Sequence, residues 1–326
     1  MDPFLIVYLA KEDRLKKNRK FKPVIHRLEY LGFRVVLLLL GLIPERFLYF
    51  FGRGIGLFVY HWLRIRRAET MANLRLALGD TLSEAELTHT AREAYANVAL
   101  SFMEALLLPR FKGRLTTLID LSGWEMVDKN FQKGRGLIVV TAHLGNWEWG
   151  GAAFSATGNP FTVVVARQTN PFVDSDMNAV RQACGMKVVP LGPASIKYLI
   201  QSLKQKEAVG LVADQSAGRK GVLVKFFDHW ASTPPGPARL ALRYGAPMVV
   251  AVLVRTGKWH FRSIFREVEV RDGDTVESVT QRFTTVLEEI VRQYPDQYFW
   301  MHRRWKIRRL ARPGSMDSVD QKGPGR

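Results

Sequence analysis

Five short runs of β-branched and other apolar residues, separated by segments with helical periodicity, constrain the fold of this chain more than any other feature. The runs cover residues 136–142, 161–166, 186–190, 208–214 and 247–255. Apolar runs of this length are typical of strands that are buried on both faces of a sheet. Helices are predicted between them over residues 173–184, 194–206 and 237–244, followed by a hairpin or edge strands over 259–270 and an amphipathic helix over 275–292. We therefore expect an α/β domain in which helices flank a mixed central sheet.

The segment before these runs has the signals of two further helices of a soluble domain. The first covers residues 66–79 and is ended by Gly79, and the second begins after Ser83. Ser83 is a favourable N-cap residue, and Glu86, three residues later, completes a capping box.

The most apolar part of the chain, residues 35–63, is long enough to cross a bilayer if it forms one apolar helix. Pro44, Glu45 and Arg46 lie in its middle, and a charge at the bilayer centre costs about 2.5–3.5 kcal/mol on insertion scales. Because proline is favoured in the first turn of a helix, we predict two helices that meet at Pro44 rather than one span.

The second of these helices is predicted to carry a polar stripe. Arg46, Arg53, Tyr60 and Arg64 fall on one side of an α-helix at about 100° per residue, and the other faces are apolar. Such a helix suits a membrane interface, with its arginines at the lipid phosphates. An ordinary helix packed on a soluble core has the same pattern and is the alternative.

The charge of the chain narrows the class of partner. It has 48 Lys and Arg against 30 Asp and Glu, a formal net charge of +18, and its 47% hydrophobic content excludes a disordered basic tail. An anionic partner follows: nucleic acid, an anionic membrane surface or a phosphorylated substrate. A membrane is favoured because a basic block precedes the most apolar segment; it comprises Lys11, Arg14, Lys16, Lys17, Arg19, Lys20 and Lys22.

The residues that indicate chemistry follow the first of the five runs. His143 leaves the carboxyl end of a predicted strand, where open α/β sheets bind ligands, and Glu148 follows beyond a Gly-Asn turn. That spacing lets the carboxylate fold back against the imidazole, fix its tautomer and stabilise the imidazolium. No G-x-S-x-G sequence supplies a serine nucleophile. We therefore predict that His143 deprotonates a substrate hydroxyl that attacks an activated acyl carbon, with a structural histidine as the alternative.

This motif and its surroundings resemble the lipid A late acyltransferases, the lauroyl and myristoyl transferases of lipopolysaccharide assembly. The resemblance covers about residues 27–309 and lies in seven runs in the family's order: HRLEYLGFRVVLLLLGLIP, NLRLALG, GRGLIVVTAHLGNWEWGG, ARQTNPFVD, GLVADQ, FFDHWASTPPGPARLALRYGAPMVV and PDQYFWMHRRWKIRR. It implies a glycerolipid-acyltransferase-like fold and the transfer of a fatty acyl chain from acyl carrier protein to a hydroxyl of a lipid A precursor. The wider signature is His-x4-Asp, and Glu148 at its last position is the variant of the lipid A branch.

The resemblance also implies roles for residues after the other predicted strands. Arg167 is expected to hold a phosphate of the acceptor, which suits a planar guanidinium. Asn170 and Asp174 continue the matching run, either as substrate contacts or as turn and helix-cap residues. Asp214 and Gln215 end the GLVADQ run at the same edge, and Asp214 is expected to orient a neighbouring basic side chain rather than to perform chemistry.

A second charged block, residues 301–309, alternates arginines with aromatic residues. Arg303 and Arg304 are predicted to contact the substrate or the membrane surface. A nucleic-acid surface has a similar composition, but no recognised binding motif accompanies this block. Anionic head groups, the acidic acyl carrier protein or a phosphorylated glycolipid fit better beside an apolar segment.

No metal or organic cofactor is expected, because acyl transfer from a thioester needs neither ATP nor a metal ion. The glycine-rich run at residues 52–58 lacks the third glycine of a dinucleotide-binding loop, so Gly52 and Gly56 are predicted to permit close helix packing. Cys184 is the only cysteine, which excludes an internal disulfide or a multi-cysteine metal site and indicates a reducing, cytosol-facing compartment.

Three parts are expected along the chain: a basic segment with membrane-associated helices (1–64), an acyltransferase domain (65–312) and a disordered tail (313–326). The protein is expected to be monotopic, on the cytoplasmic face of the inner membrane. Two alternatives remain: an acyltransferase for another membrane lipid, such as a lysophospholipid, an aminolipid or a glycosylated phospholipid, and a basic nucleic-acid-binding protein.

Overall fold

A seven-stranded sheet forms the centre of the computed structural model, which describes residues 22–306. The strands along the chain are β1 (Ile119–Asp120), β2 (Leu137–Thr141), β3 (Phe161–Val165), β4 (Met186–Pro190), β5 (Ala208–Val212), β6 (Val222–Phe226), β7 (His229–Thr233), β8 (Met248–Arg255) and β9 (Phe261–Val268). The sheet order is β1-β9-β8-β2-β5-β3-β4, with β9 antiparallel to β8 and the other neighbours parallel. The predicted mixed sheet is confirmed, and each of the five apolar runs is a strand.

Helices cover both faces of this sheet. They are α1 (Lys22–Leu42), α2 (Glu45–Phe58), α3 (Arg67–Leu78), α4 (Glu84–Phe111), α5 (Leu115–Leu118), α6 (Trp124–Gln132), α7 (Trp147–Ala156), α8 (Pro171–Ala183), α9 (Ser195–Lys204), α10 (Gly236–Tyr244) and α11 (Val276–Gln293). Alternate residues of β2 enter two apolar clusters: Ile138 and Val140 pack with α10 and α11, while Leu137 and Val139 pack with α7 and the second half of α4. Strand β2 is therefore buried on both faces, as its continuous apolar sequence predicts.

The hairpin of β6 and β7 was not predicted from the sequence. Strand β6 alternates buried with more exposed residues, and β7 is buried only in its last three residues, so neither forms a continuous apolar run. Its two-residue turn consists of Phe227 and Asp228, both with positive φ, as a type I′ turn requires. The Phe-Asp sequence is not the Asn-Gly or Asp-Gly pair that usually marks such a turn. The strongest local sequence signal of a hairpin is therefore missing.

The capping box at the start of α4 is confirmed. The backbone N–H of Ser83 donates to the Glu86 carboxylate at 2.8 Å, and the backbone N–H of Glu86 donates to the Ser83 hydroxyl at 3.4 Å. These bonds satisfy two N–H groups at the start of a helix that runs for 28 residues.

The two helices predicted to meet at Pro44 are α1 and α2, and α2 packs closely on α4. A Cβ atom on Gly56 would lie 2.4 Å from the Tyr95 carbonyl oxygen, and one on Gly52 would lie 2.8 Å from the Met103 methyl group. The prediction that these glycines permit close helix packing is confirmed.

The polar stripe predicted for the second N-terminal helix, which includes Tyr60 and Arg64 beyond the end of α2, is corrected by the structure. Tyr60 is buried, and Arg53 turns towards α4, where its guanidinium forms a bidentate ion pair with Glu93, at 2.6 Å for Nη2 and Oε1. Two residues of the stripe, Arg53 and Tyr60, therefore face the protein, and Glu93 supplies the ion-pair partner of Arg53. The outer surface is instead an apolar face with these exposed side chains: Val24, Leu28, Leu31, Val35, Val36, Leu38, Leu39, Leu42, Phe47, Phe50, Phe51, Ile55, Phe58, Trp62 and Leu63.

Among residues 22–306, none of the helices combines the length and apolar character that a membrane span requires. Most of the basic N-terminal block and the predicted tail lie outside the described residues, and the division into three parts stays a prediction.

Candidate active site

The carboxyl ends of β2, β5 and β3 place the predicted site residues along one edge of the sheet. Thr141 of β2 pairs in parallel with Val212 of β5, and the ladder extends one step further through a bond from the Ala213 N–H to the Thr141 carbonyl. His143 and Asp214, each two residues after these paired positions, therefore meet at the same edge.

His143 and Asp214 form a two-point contact. The Nδ1 atom of the imidazole lies 2.8 Å from Oδ1 of Asp214, and the backbone N–H of His143 donates to Oδ2 at 3.0 Å. An ionised carboxylate only accepts, so in the neutral imidazole Nδ1 carries the proton and Nε2 is the acceptor. Asp214 is thus the carboxylate in contact with a basic side chain, and its orienting role stays a prediction.

Asp214 is buried, which by itself raises a carboxyl pKa. The His143 ring and its backbone N–H, together with the nearby Arg304, outweigh burial and lower the pKa of Asp214 to about 2. The carboxylate therefore stays ionised at neutral pH. Tyr298, buried beside it, has a pKa raised well above its usual value by burial and by this negative charge.

Glu148 is bound to a different partner, which corrects the contact predicted from the His-x4-Glu spacing. Its carboxylate accepts from Nε and Nη2 of Arg181 at 2.8 and 2.5 Å. Glu148 is the second residue of α7 and Arg181 lies on α8, so the ion pair joins two helices. The first turn of α7 directs Glu148 away from the edge of β2, and Asp214 occupies the position beside Nδ1. A catalytic role for Glu148 is left as an untested prediction.

The Glu148–Arg181 pair borders a narrow apolar cleft between α1, α4 and α8. The cleft is lined by Phe33 and Leu37 of α1, Leu106 of α4, and Met177 and Val180 of α8. Both charged side chains are largely buried, with exposed fractions of 16% for Glu148 and 8% for Arg181.

Other groups surround the imidazole. The Gln215 amide nitrogen lies 3.3 Å from Nδ1 and 3.4 Å from Nε2. The Trp147 ring meets the imidazole edge-on at 5.0 Å between centroids, and the backbone N–H of Phe299 donates to the His143 carbonyl at 2.9 Å. His143 is thus held through its ring and through its backbone, and the Gln215 carboxamide lies beside Nε2.

The two arginines of the second charged block differ in burial. Arg304 is buried; it donates to the Ser232 carbonyl at 2.6 Å and to the Thr233 hydroxyl at 2.5 Å, and its guanidinium lies over the Phe226 ring. The predicted substrate contact by Arg304 is therefore corrected, because two of its guanidinium nitrogens bind β7 inside the protein. Arg303 is exposed and lies 3.4 Å from the Glu69 carboxylate.

His302, also in the second charged block, contacts the segment that follows β5. Its Nε2 accepts from the backbone N–H of Ser216 at 3.0 Å, and burial lowers the pKa of His302 to about 4. The side chain is therefore neutral at pH 7 and braces the segment that follows Gln215.

Asn170 and Asp174 act as turn and helix-cap residues, the alternative considered from the sequence. The Asn170 side chain accepts from the Phe172 N–H and donates to the His26 carbonyl of α1 at 2.8 Å, and Asp174 accepts from the Gln168 N–H at 2.8 Å. These bonds shape the turn after β3. Arg167 is exposed two residues after that strand.

Comparison with known proteins agrees with this architecture. Residues 15–307 match the model of the bacterial lipid A biosynthesis acyltransferase family. The chain belongs to this family.

Individual relatives extend over much of the chain. It is 25% identical to the lipid A biosynthesis palmitoleoyltransferase of Escherichia coli over 299 residues, which are 90% of this chain and 95% of the relative. It is 26% identical to the lipid A biosynthesis lauroyltransferase of Escherichia coli, over 86% of this chain and 92% of the relative. It is also 27% identical to the phosphatidylinositol mannoside acyltransferase of Mycolicibacterium smegmatis, over 66% of this chain and 71% of the relative.

Two partners in this member of the lipid A biosynthesis acyltransferase family were missed from the sequence. Arg181 lies 33 residues from Glu148, inside an amphipathic helix that has no motif of its own. Phe299 binds the main chain of His143 from a loop more than 150 residues away, and the PDQYFW run that contains it stands out only through its resemblance to the family. Among the described residues, no cluster of His, Cys, Asp and Glu is arranged to hold a metal ion.

Proposed function

We propose that this acyltransferase moves a fatty acyl chain from the thioester of acyl carrier protein to a hydroxyl of a phosphorylated lipid A precursor, with His143 as the general base and Asp214 as its orienting carboxylate. The observation that carries the mechanism is the 2.8 Å contact between Nδ1 and Asp214 Oδ1. It fixes the tautomer whose Nε2 can accept a proton.

The reaction balances without an enzyme nucleophile. Nε2 of His143 takes the proton of the acceptor hydroxyl as that oxygen attacks the thioester carbonyl carbon. The tetrahedral intermediate then collapses, the C–S bond breaks, and the imidazolium gives its proton to the departing thiolate, so that the carrier leaves as the free thiol. A positioned general base contributes typically about 10²–10⁴-fold to such a step.

The oxyanion of the intermediate needs hydrogen-bond donors close to the base. The Gln215 amide nitrogen, 3.4 Å from Nε2, is at a suitable place, and backbone N–H groups of the same edge or a nearby basic side chain are further candidates. Arg167, exposed at the end of the adjoining strand, is proposed to bind a phosphate of the acceptor.

The apolar face formed by exposed side chains of residues 24–63 supports membrane association. We propose that this face enters the lipid interface on the cytoplasmic side of the inner membrane, where the acceptor's chains stay in the bilayer. The net charge of +18 suits an anionic membrane surface, a phosphorylated acceptor and an acidic carrier protein. Arg303, also exposed, is proposed to contact one of these anions.

A second acceptor class is supported by a specific observation, the similarity to a phosphatidylinositol mannoside acyltransferase. A general base acts on any hydroxyl that reaches it, so a glycosylated phospholipid fits the same site.

The test is a reaction of the purified full chain with acyl-acyl carrier protein in mixed micelles that contain either a lipid A precursor or a glycosylated phospholipid. A mass increase of one acyl group on the lipid A precursor supports the proposal, and preference for the other lipid supports the second candidate. His143→Ala should abolish transfer with unchanged thermal unfolding. Normal turnover by this variant would overturn the mechanism. No transfer to either lipid by the wild type would overturn the proposed function.

A further inference from the structure

Two buried charged side chains that take no part in the proposed proton transfer lie next to the segment that follows His143. Glu104 of α4 is fully buried, and Arg255, the last residue of β8, is 7% exposed at its side chain. The Arg255 guanidinium donates to both carboxylate oxygens of Glu104 at 2.7 Å. Its Nε also donates to the Asn97 carboxamide oxygen at 3.2 Å.

Asn146 connects this pair to the catalytic loop, which we define as residues 143–146. Its Nδ2 donates to Glu104 at 2.8 Å, and its Oδ1 accepts from the backbone N–H of Trp149, so that it caps α7. Because a carboxylate can only accept, Glu104 determines which end of the Asn146 carboxamide faces the helix.

The same two elements also hold the main chain of the catalytic loop. The Ser101 hydroxyl, one turn before Glu104 on α4, donates to the Gly145 carbonyl at 2.8 Å. The backbone N–H of Asn146 donates at 2.9 Å to the carbonyl of Leu253, two residues before Arg255 on β8. The ion pair therefore joins the two elements between which the loop is bound.

We propose that Glu104 and Arg255 are positioning residues for acyl transfer: the buried pair orients Asn146 and thereby holds the loop that carries His143. The inference rests on the proposed role of His143 as the base. A misplacement of about 1 Å at a reacting group can reduce a rate by about 10²-fold. A buried ion pair is often no more stabilising than apolar side chains of similar size, so net stability alone does not account for this pair.

A reversal of the hydrogen bond between residues 104 and 146 tests the proposal. Glu104→Gln removes the acceptor charge, and Asn146→Asp places two carboxylates together, so each change is expected to lower kcat by about 10–100-fold with a smaller effect on KM. In the double variant E104Q/N146D, the glutamine amide introduced at position 104 donates to the carboxylate introduced at position 146. Nη2 of Arg255, which shares Oε2 of Glu104 with Asn146 in the wild type, is then expected to donate to that carboxylate instead. That carboxylate still caps α7, and its charge balances Arg255.

The double variant is expected to recover kcat to within about fivefold of the wild type. Amide hydrogen exchange of residues 144–148, measured in the same four proteins, should rise in each single variant and return in the double variant. The matched control is Asp274→Asn, which breaks another arginine–carboxylate pair, with Arg282, at the beginning of α11. It should lower the unfolding temperature and change neither kcat nor exchange of the loop.

Additive losses in the double variant, or unchanged exchange of residues 144–148 in the single variants, would overturn the positioning role. The exchange measurement does not depend on turnover. If protection is lost and rescued as expected while the wild type transfers no acyl chain, positioning of the loop is supported and the proposed function fails.

Discussion

His143 and Asp214 are 71 positions apart in the sequence and meet across two adjacent parallel strands, with Nδ1 and Oδ1 2.8 Å apart. The carboxylate is buried, ionised and doubly bound to the histidine, through its ring and its backbone N–H. Glu148 is instead paired with Arg181, in an ion pair that joins α7 to α8. Asp214 and Glu148 therefore have different partners, and their substitution is expected to have different effects.

Asp214→Asn should reduce kcat by about 10³–10⁴-fold and leave KM nearly unchanged, because an amide no longer stabilises the imidazolium and permits the wrong tautomer. Steady-state kinetics compare the loss of kcat in Asp214→Asn with that in Glu148→Gln, and thermal unfolding checks that both variants fold. A larger kcat loss in Glu148→Gln than in Asp214→Asn contradicts the assignment of Asp214.

Glu148→Ala should destabilise the protein by about 3 kcal/mol, because it leaves Arg181 buried without its carboxylate. Chemical denaturation gives the free energy of unfolding. Glu84→Ala is the matched control, since Glu84 is exposed and paired with an exposed arginine, Arg75, and its loss should change stability little. Equal stability of wild type and Glu148→Ala would show that the ion pair does not hold α7 to α8.

Stability should fall between pH 6.5 and pH 4 through His302. Burial lowers its pKa in the folded protein to about 4, whereas the unfolded chain binds a proton near pH 6.5. Within this window the unfolded state holds the extra proton, so the free energy of unfolding decreases as the pH falls, by up to about 3 kcal/mol.

His302→Gln keeps an acceptor for the Ser216 N–H but does not titrate. The curve of unfolding free energy against pH should therefore be flatter for His302→Gln between pH 6.5 and 4.5. Parallel curves for the two proteins would exclude His302 as the titrating group.

Trp62→Ser should weaken binding to vesicles that contain anionic lipid by about tenfold or more, because this ring is 77% exposed on the apolar face and would lose its burial in lipid. Trp230→Ser, at a 56% exposed tryptophan of β7, is the control and should bind as the wild type does. Co-sedimentation with vesicles measures both. Equal loss of binding in the two variants would argue against a specific membrane face.

Arg167→Ala should raise KM for a phosphorylated acceptor by about tenfold with a smaller change in kcat, since it removes a cation that binds phosphate. Arg167→Lys should raise KM less than Arg167→Ala does, because an ammonium keeps the positive charge but lacks the planar fork of a guanidinium. A dephosphorylated acceptor provides the control, and the same KM increase with that lipid would show that Arg167 does not bind the phosphate.

Most of the fold was predictable because its signals are local. The apolar runs of β2 to β5 and β8, the Ser83 capping box and the break at Pro44 depend on residues close in sequence. The β6–β7 hairpin was not predictable, since its turn residues, Phe227 and Asp228, take positive φ without a glycine.

The sequence by itself determined that His143 stands at the carboxyl end of a buried strand, and that Asp214 and Arg167 follow other strands of the same sheet. The tertiary structure alone decided which carboxylate reaches the imidazole. Strand order makes β5 the direct neighbour of β2, so Asp214 faces His143, while the first turn of α7 points Glu148 towards Arg181. Spacing of five residues permits a contact between His143 and Glu148, but the packing of α7 on its neighbours, which involves residues distant in sequence, determines where that carboxylate points.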